Sequence, residues 1–248
     1  MLQERLDYTP IDYKNWTLGD PAREGINLKR LGLLNQLELA VWENAIPYQD
    51  QRDDPGQGEI VTYFTLKLLE FLPGNREVVV PAAILHDTGF YGYDSDAWKK
   101  LVSSGKKIET EENRRPHQNR GILLAGRILE RVNYPEEYHF EIADIIGDHD
   151  TRKLPTTQNG TIVRSADQIW RLTYPCLSIY HPDLNPGETL KKLEESALNL
   201  PPPFDLGRIE NQIARLELTN TMLFAFGNGV IPMLSAQYKN ELDLISKR

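Results

Sequence analysis

Five residues have the types and spacing to do metal chemistry together: the adjacent His86 and Asp87, then His117, His149 and Asp167. An imidazole beside a carboxylate suits a divalent cation such as Mn²⁺, Fe²⁺, Ni²⁺ or Zn²⁺. The pair closes the apolar run Pro81-Ala-Ala-Ile-Leu85 and is followed by Thr88 and Gly89. The other three also fall on apolar stripes. His117 shares one with Gly121, Leu124, Ile128 and Val132; His149 with Tyr138, Ile142 and Ile145; Asp167 with Val163, Ala166 and Trp170. A single histidine on such a stripe is more often a hydrogen-bonded core residue. A single aspartate there usually meets an arginine, and Arg164 and Arg171 are at hand. Several together are different, because buried carboxylates and imidazoles are costly unless paired or coordinated. One shared cation accounts for all of them.

The elements that must carry these residues read as helices throughout. Residues 1–26, with Pro10, Gly19, Pro21 and Gly25, read as an irregular N-terminal arm on the body. Asn27 is the expected N-cap of a helix over 28–46. After a polar loop at 50–56, a helix over 57–71 has the stripe Ile60, Val61, Phe64, Leu68 and Phe71, which Gln57 extends by one turn. Pro73-Gly74-Asn75 breaks it. Val78-Val79-Val80 fits a strand, but Pro81 is better placed to begin or kink a short helix carrying His86 and Asp87, with Gly89 as its C-cap. Further helices are expected over 112–132, from Pro135 to His149, and over 161–173. Helices near 187–199, from Asp205 to Phe224 and from 231 onward complete the chain. The stretch 183–248 shows no ligand cluster, so it either covers the core or forms a contact between two copies. The expected fold class is all-α, a single domain over 1–248.

The 248 residues are 40% apolar and 26% charged, enough to bury a core without a structural metal. Cys176 is the only cysteine, which excludes an internal disulfide and a Cys-based zinc site. The first residues have no basic segment followed by an apolar one, and no apolar run approaches the roughly 18 residues of a membrane span. No membrane association and a cytoplasmic location are therefore expected. A net charge of −8 argues against nucleic-acid polymers as partners. One basic run departs from that total: Lys99, Lys100, Lys106, Lys107, Arg114, Arg115 and Arg120, set against Glu109, Glu111 and Glu112. It reads as a solvated loop or as an anion-attracting rim.

The ordered set Ala82-Ala-Ile-Leu-His-Asp-Thr-Gly89, His117 with Arg120-Gly121, Ile145-Ile-Gly-Asp-His149 and Ser165-Ala-Asp167 resembles the HD superfamily of metal-dependent phosphohydrolases. The likeness covers roughly residues 50–175. It implies an HD-type helical bundle with additional C-terminal helices over 183–248. It also implies one or two divalent ions (Mn, Fe, Ni, Zn, Co or Mg) and hydrolysis of a small phosphate ester, a nucleotide above all, by a metal-activated water. By the resemblance His86, Asp87 and Asp167 would hold the first ion, with Gln57 in the slot of a family histidine. His117 and His149 would hold a second ion or face the phosphate. Asp87, His117 and His149 would be the catalytic residues, and Arg115, Arg120, Arg152 or Lys153 would meet the phosphate. The chain departs from the family at Gln57 and at Phe90, where a lysine is expected. Those departures keep a second reading open, an HD-fold nucleotide-binding or interaction module that has lost its metal.

Overall fold

The computed structural model describes residues 6–92, 111–198, 200 and 207–246, with backbone only at 111–114. The fold is all-α, with no strand among the described residues. The chain divides into two compact units, Thr17–Asp167 and Met1–Trp16 with Gln168–Arg248.

The first unit begins with α1 (Asp20–Arg23), α2 (Ile26–Arg30) and α3 (Gln36–Ala45). The single helix expected over 28–46 is thus two helices. Gly32, at φ +62°, turns the chain between them, and Asn35 starts α3 with a capping box in which its side chain accepts from Glu38 N at 2.9 Å. Asn27 is not a cap. It is buried inside α2, where its side chain donates to Glu59 at 2.6 Å.

Next comes α4 (Gln57–Leu69), buried almost all round, with Ile60, Val61, Phe64 and Leu68 fully enclosed. Its first turn is capped from a distance: the Asp50 carboxylate accepts from Gly56 N at 2.6 Å and Gly58 N at 3.0 Å. Then α5 (Arg76–Leu85) is a helix from five residues before Pro81, so the three valines are helical. Pro81 has no N–H for the Glu77 carbonyl, and Tyr134 supplies the missing donor through its hydroxyl at 2.8 Å. Packed around these are α6 (Glu111–Arg131) and α7 (His139–Asp148); α8 (Gln158–Trp170), most of which lies in this unit, meets the start of α5 where Asn159 accepts from Asn75 N at 2.8 Å. Helix α8 starts three residues earlier than its apolar spacing suggests.

Gly89 is not a C-cap. It lies in the short 3₁₀ turn Thr88–Phe90, and the reason for glycine is space. A Cβ there would stand 1.8 Å from the His117 carbonyl and 2.6 Å from Gly121 N. The backbone of α6 rests directly on this turn.

In the second unit, α9 (Tyr174–Tyr180), α10 (Pro186–Ala197) and α13 (Lys239–Ile245) pack on α11 (Ile209–Phe226), with α12 (Ile231–Leu234) following it. The final helix expected from 231 is therefore two short ones. The Pro201–Pro203 break and Asp205 lie outside the described residues. Of the irregular arm expected over 1–26, only the part up to Trp16 belongs to this unit, tied to it mainly by one buried carboxylate; the rest enters the first unit, where 20–23 are helical. Glu217 accepts from Ile11 N at 3.0 Å, from the Tyr13 hydroxyl at 3.1 Å and from the Tyr8 hydroxyl. Burial pushes its pKa up despite those donors. Glu217→Ala removes the acceptor of the Ile11 N–H and the carboxylate partner of both tyrosine hydroxyls, Tyr13 keeping the Thr221 hydroxyl at 3.3 Å, at roughly 2–3 kcal/mol in total. The arm is then expected to loosen, so that tryptic cleavage after exposed Lys14 speeds up by an order of magnitude. An unchanged cleavage rate would show that the arm is held by its aromatic contacts instead.

Among the described residues no helix is long and apolar enough to cross a membrane.

Candidate metal centre

His86 and Asp87 stand just past the end of α5, where the helix leaves its last carbonyls without helical donors. Side chains satisfy them: His86 Nδ1 donates to Ala83 O at 2.7 Å, Gln49 Nε2 to Ile84 O at 2.6 Å and Thr88 Oγ1 to Leu85 O at 2.7 Å. The first of these bonds fixes the His86 ring and turns Nε2 towards the interior. The end of α7 repeats the device, since His149 Nδ1 donates to Ile146 O at 2.8 Å. His117, on α6, is held by stacking on Phe90, with ring centroids 4.0 Å apart and an interplanar angle of 16°.

All three histidines and Asp87 and Asp167 are buried within the first unit. They form two groups of metal-ligand atoms that share Asp87. In the larger group, Asp87 Oδ1 is 3.7 Å from His117 Nε2 and 3.3 Å from His149 Nε2. Asp150 Oδ2 completes it, 3.4 Å from His117 Nε2 and 3.6 Å from His149 Nε2. Metal–ligand bonds of about 2.0–2.2 Å give a tetrahedral shell edges of about 3.3–3.6 Å, so three of these separations fit a cation at the centre and the 3.7 Å one is slightly long. Asp87 Oδ1, His117 Nε2 and His149 Nε2 are buried with no hydrogen-bond partner. Orphaned lone pairs converging on one point are what a cation would satisfy.

The smaller group is His86, Asp87 and Asp167, with His86 Nε2 at 3.4 Å from Asp87 Oδ2 and 3.7 Å from Asp167 Oδ1. Here N–H donors already fill the space. Gln57 Nε2 is 3.0 Å from His86 Nε2 and 3.1 Å from Asp87 Oδ2, and Arg52 Nη2 is 2.7 Å from Asp87 Oδ2. Arg52 also pairs with buried Asp54 at 2.9 Å, and its guanidinium lies 4.4 Å over the Phe90 ring.

The electrostatics favour positive charge. Burial disfavours protonation of His86, but Asp87 and Asp167 outweigh it and hold its pKa well above the ordinary value. His149 is raised in the same way, with Asp150 and Asp87 overcoming burial. For His117 burial wins and the pKa is lowered. Burial also opposes the charge on Asp87, yet Arg52 and His86 hold it well below the usual carboxylate range.

The structure therefore brings together Gln57, His86, Asp87, His117, His149 and Asp167. The basic residues are placed differently. Arg115 and Arg152 both pair with Asp148, beside His149. Arg120 donates to the Tyr91 carbonyl, and Lys153 is exposed. Of the basic run 99–120, only the side chains of Arg115 and Arg120 are among the described residues. His149 also borders a small cleft, partly open to solvent, lined by Arg152, Arg164, Asp148 and Thr157 among others. Sequence reasoning missed two members of the site, Asp150 and Arg52. The signal for Asp150 was its adjacency to His149, the same His-Asp order as at 86–87; Arg52 left none.

Comparison with protein-family models, curated proteins and solved structures finds no match to this chain.

Proposed function

We propose that this chain is a divalent-cation-dependent phosphohydrolase of the HD type, acting on a small phosphate ester of the nucleotide class. The observation that carries the reading is the larger cluster. Four ligand atoms stand at or close to shell-edge distances, and three of them are buried without a hydrogen-bond partner. A bound divalent cation supplies an acidified water and a Lewis acid for a phosphoryl oxygen.

The chain's own groups do the positioning. Asp87 presents Oδ1 while Arg52 grips Oδ2, so the carboxylate cannot swing. His149 is fixed by Ile146 O and His117 by Phe90, so neither imidazole needs reorganising. Asp150 stands at the wetter edge, its side chain 11% exposed. His149 is common to the cluster and the cleft, whose cations are Arg164 and Arg152, the latter already paired with Asp148 and Asp144, so a phosphate ester would compete with those carboxylates.

Four protein ligands leave open positions on six-coordinate cations such as Mn²⁺ and none on tetrahedral Zn²⁺. Chelator-treated protein reloaded with each ion and offered nucleoside mono-, di- and triphosphates is the direct test. Turnover with Mn²⁺, abolished by chelator and at least about 10-fold weaker with Zn²⁺, is expected. An ion bound with no ester hydrolysed would return the chain to a binding or interaction module.

A further inference from the structure

Resting on the cation of the proposed function, we propose that the centre is mononuclear. One ion is held by Asp87 Oδ1, His117, His149 and Asp150, and the guanidinium of Arg52 is a built-in cation on the other side of Asp87. The two oxygens of Asp87 have opposite environments. Oδ1 is buried and without a hydrogen-bond partner. Oδ2 receives N–H from Arg52 at 2.7 Å and from Gln57 at 3.1 Å. His86 Nε2 is engaged as well, 3.0 Å from the Gln57 amide. With Nδ1 donating to the Ala83 carbonyl, Nε2 of the neutral ring accepts from the Gln57 amide.

Arg52 is not a passing visitor. Its guanidinium is wedged between Asp87 and Asp54 and lies on Phe90, whose ring stacks on His117. Its side chain is 13% exposed. Bringing a metal ion to Oδ2 would force two like charges within a few ångströms in a buried site, where repulsion is poorly screened. Gln57 and Phe90 both face this side of Asp87 and both support the guanidinium arrangement. A second ion is thereby replaced by a side chain, and a two-metal clamp on the ester is not available to this protein.

The test is metal stoichiometry on the intact chain, with circular dichroism as the control for folding. Wild type is expected to bind about one Mn²⁺ per chain and give an uncoupled six-line paramagnetic spectrum. Asp150→Asn should weaken Mn²⁺ binding by about 100-fold or more, beyond the loss of a supporting partner. Asp167→Asn should keep one equivalent. The double substitution Arg52→Ala with Gln57→His should admit a second. Two equivalents with a spin-coupled spectrum in wild type would overturn the inference. So would a chain that loses its ion with Asp167→Asn and keeps it with Asp150→Asn, or a double variant that stays at one. One ion at this place without ester hydrolysis leaves the inference standing and removes the enzyme reading. Hydrolysis with two ions does the reverse, and no bound ion removes both.

Discussion

Asp87→Asn is expected to empty the centre and, with it, to abolish the proposed metal-dependent hydrolysis. Every route into the cluster passes through this carboxylate. Oδ1 closes the ring with His117 and His149, and Oδ2 anchors Arg52 and Gln57. Asparagine keeps the shape and removes the charge. Loss of a supporting partner costs about 10–100-fold in affinity or activity, and loss of the shared ligand should exceed that, at roughly 10³-fold or more in kcat/KM. Stability gives an independent readout. At an ion concentration 100 times its Kd, Mn²⁺ should stabilise wild type by about 2.7 kcal/mol and leave Asp87→Asn unmoved. Arg52 keeps Asp54 in the variant, so the metal-free protein should still fold. Full Mn²⁺ occupancy in Asp87→Asn would sink the assignment of this cluster as the metal centre.

Apolar periodicity in the sequence makes part of this arrangement legible and hides the rest. His117, His149 and Asp167 were found because each continues a buried stripe, and the helices are where those stripes run. Asp150 was not, although it completes the larger cluster. It follows His149 by one residue, past the end of α7 at Asp148, where the helical spacing no longer says which way a side chain points. Arg52 was out of reach for a different reason. It sits in the loop before α4, whose path is set by Asp50 with φ +51° and Asp53 with φ +63°. Those conformations carry no hydrophobic pattern, so the direction of a long guanidinium from that loop is a tertiary fact. The helix expected over 28–46 went astray over competing caps: Asn27 and Asn35 have the same chemistry, and the partner that decides between them, Glu59, is distant in the chain.

Gly89→Ala is expected to cost as much stability as any single methyl can in this unit, and to weaken metal binding with it. The added carbon would fall 1.8 Å from the His117 carbonyl oxygen and 2.8 Å from its carbonyl carbon, both backbone atoms of α6. No rotamer relieves a clash between backbone and Cβ, so turn and helix must part. Overpacking costs about 1–3 kcal/mol where side chains can adjust, and here the cost should reach or pass the upper end. The helix that must move carries His117, and the turn that must move carries Phe90, the ring on which His117 stacks. Mn²⁺ affinity should fall in step with stability for that reason. Gly92 is the control. It has φ +79° with nothing within 4 Å of an added Cβ, so Gly92→Ala meets only the left-handed strain of about 1–2 kcal/mol. It should leave Mn²⁺ affinity unchanged. Paired urea unfolding and Mn²⁺ titration on the two variants separate backbone strain from the close approach of α6. Equal losses in both would mean that contact between the turn and α6 is not what places His117 beside Asp87.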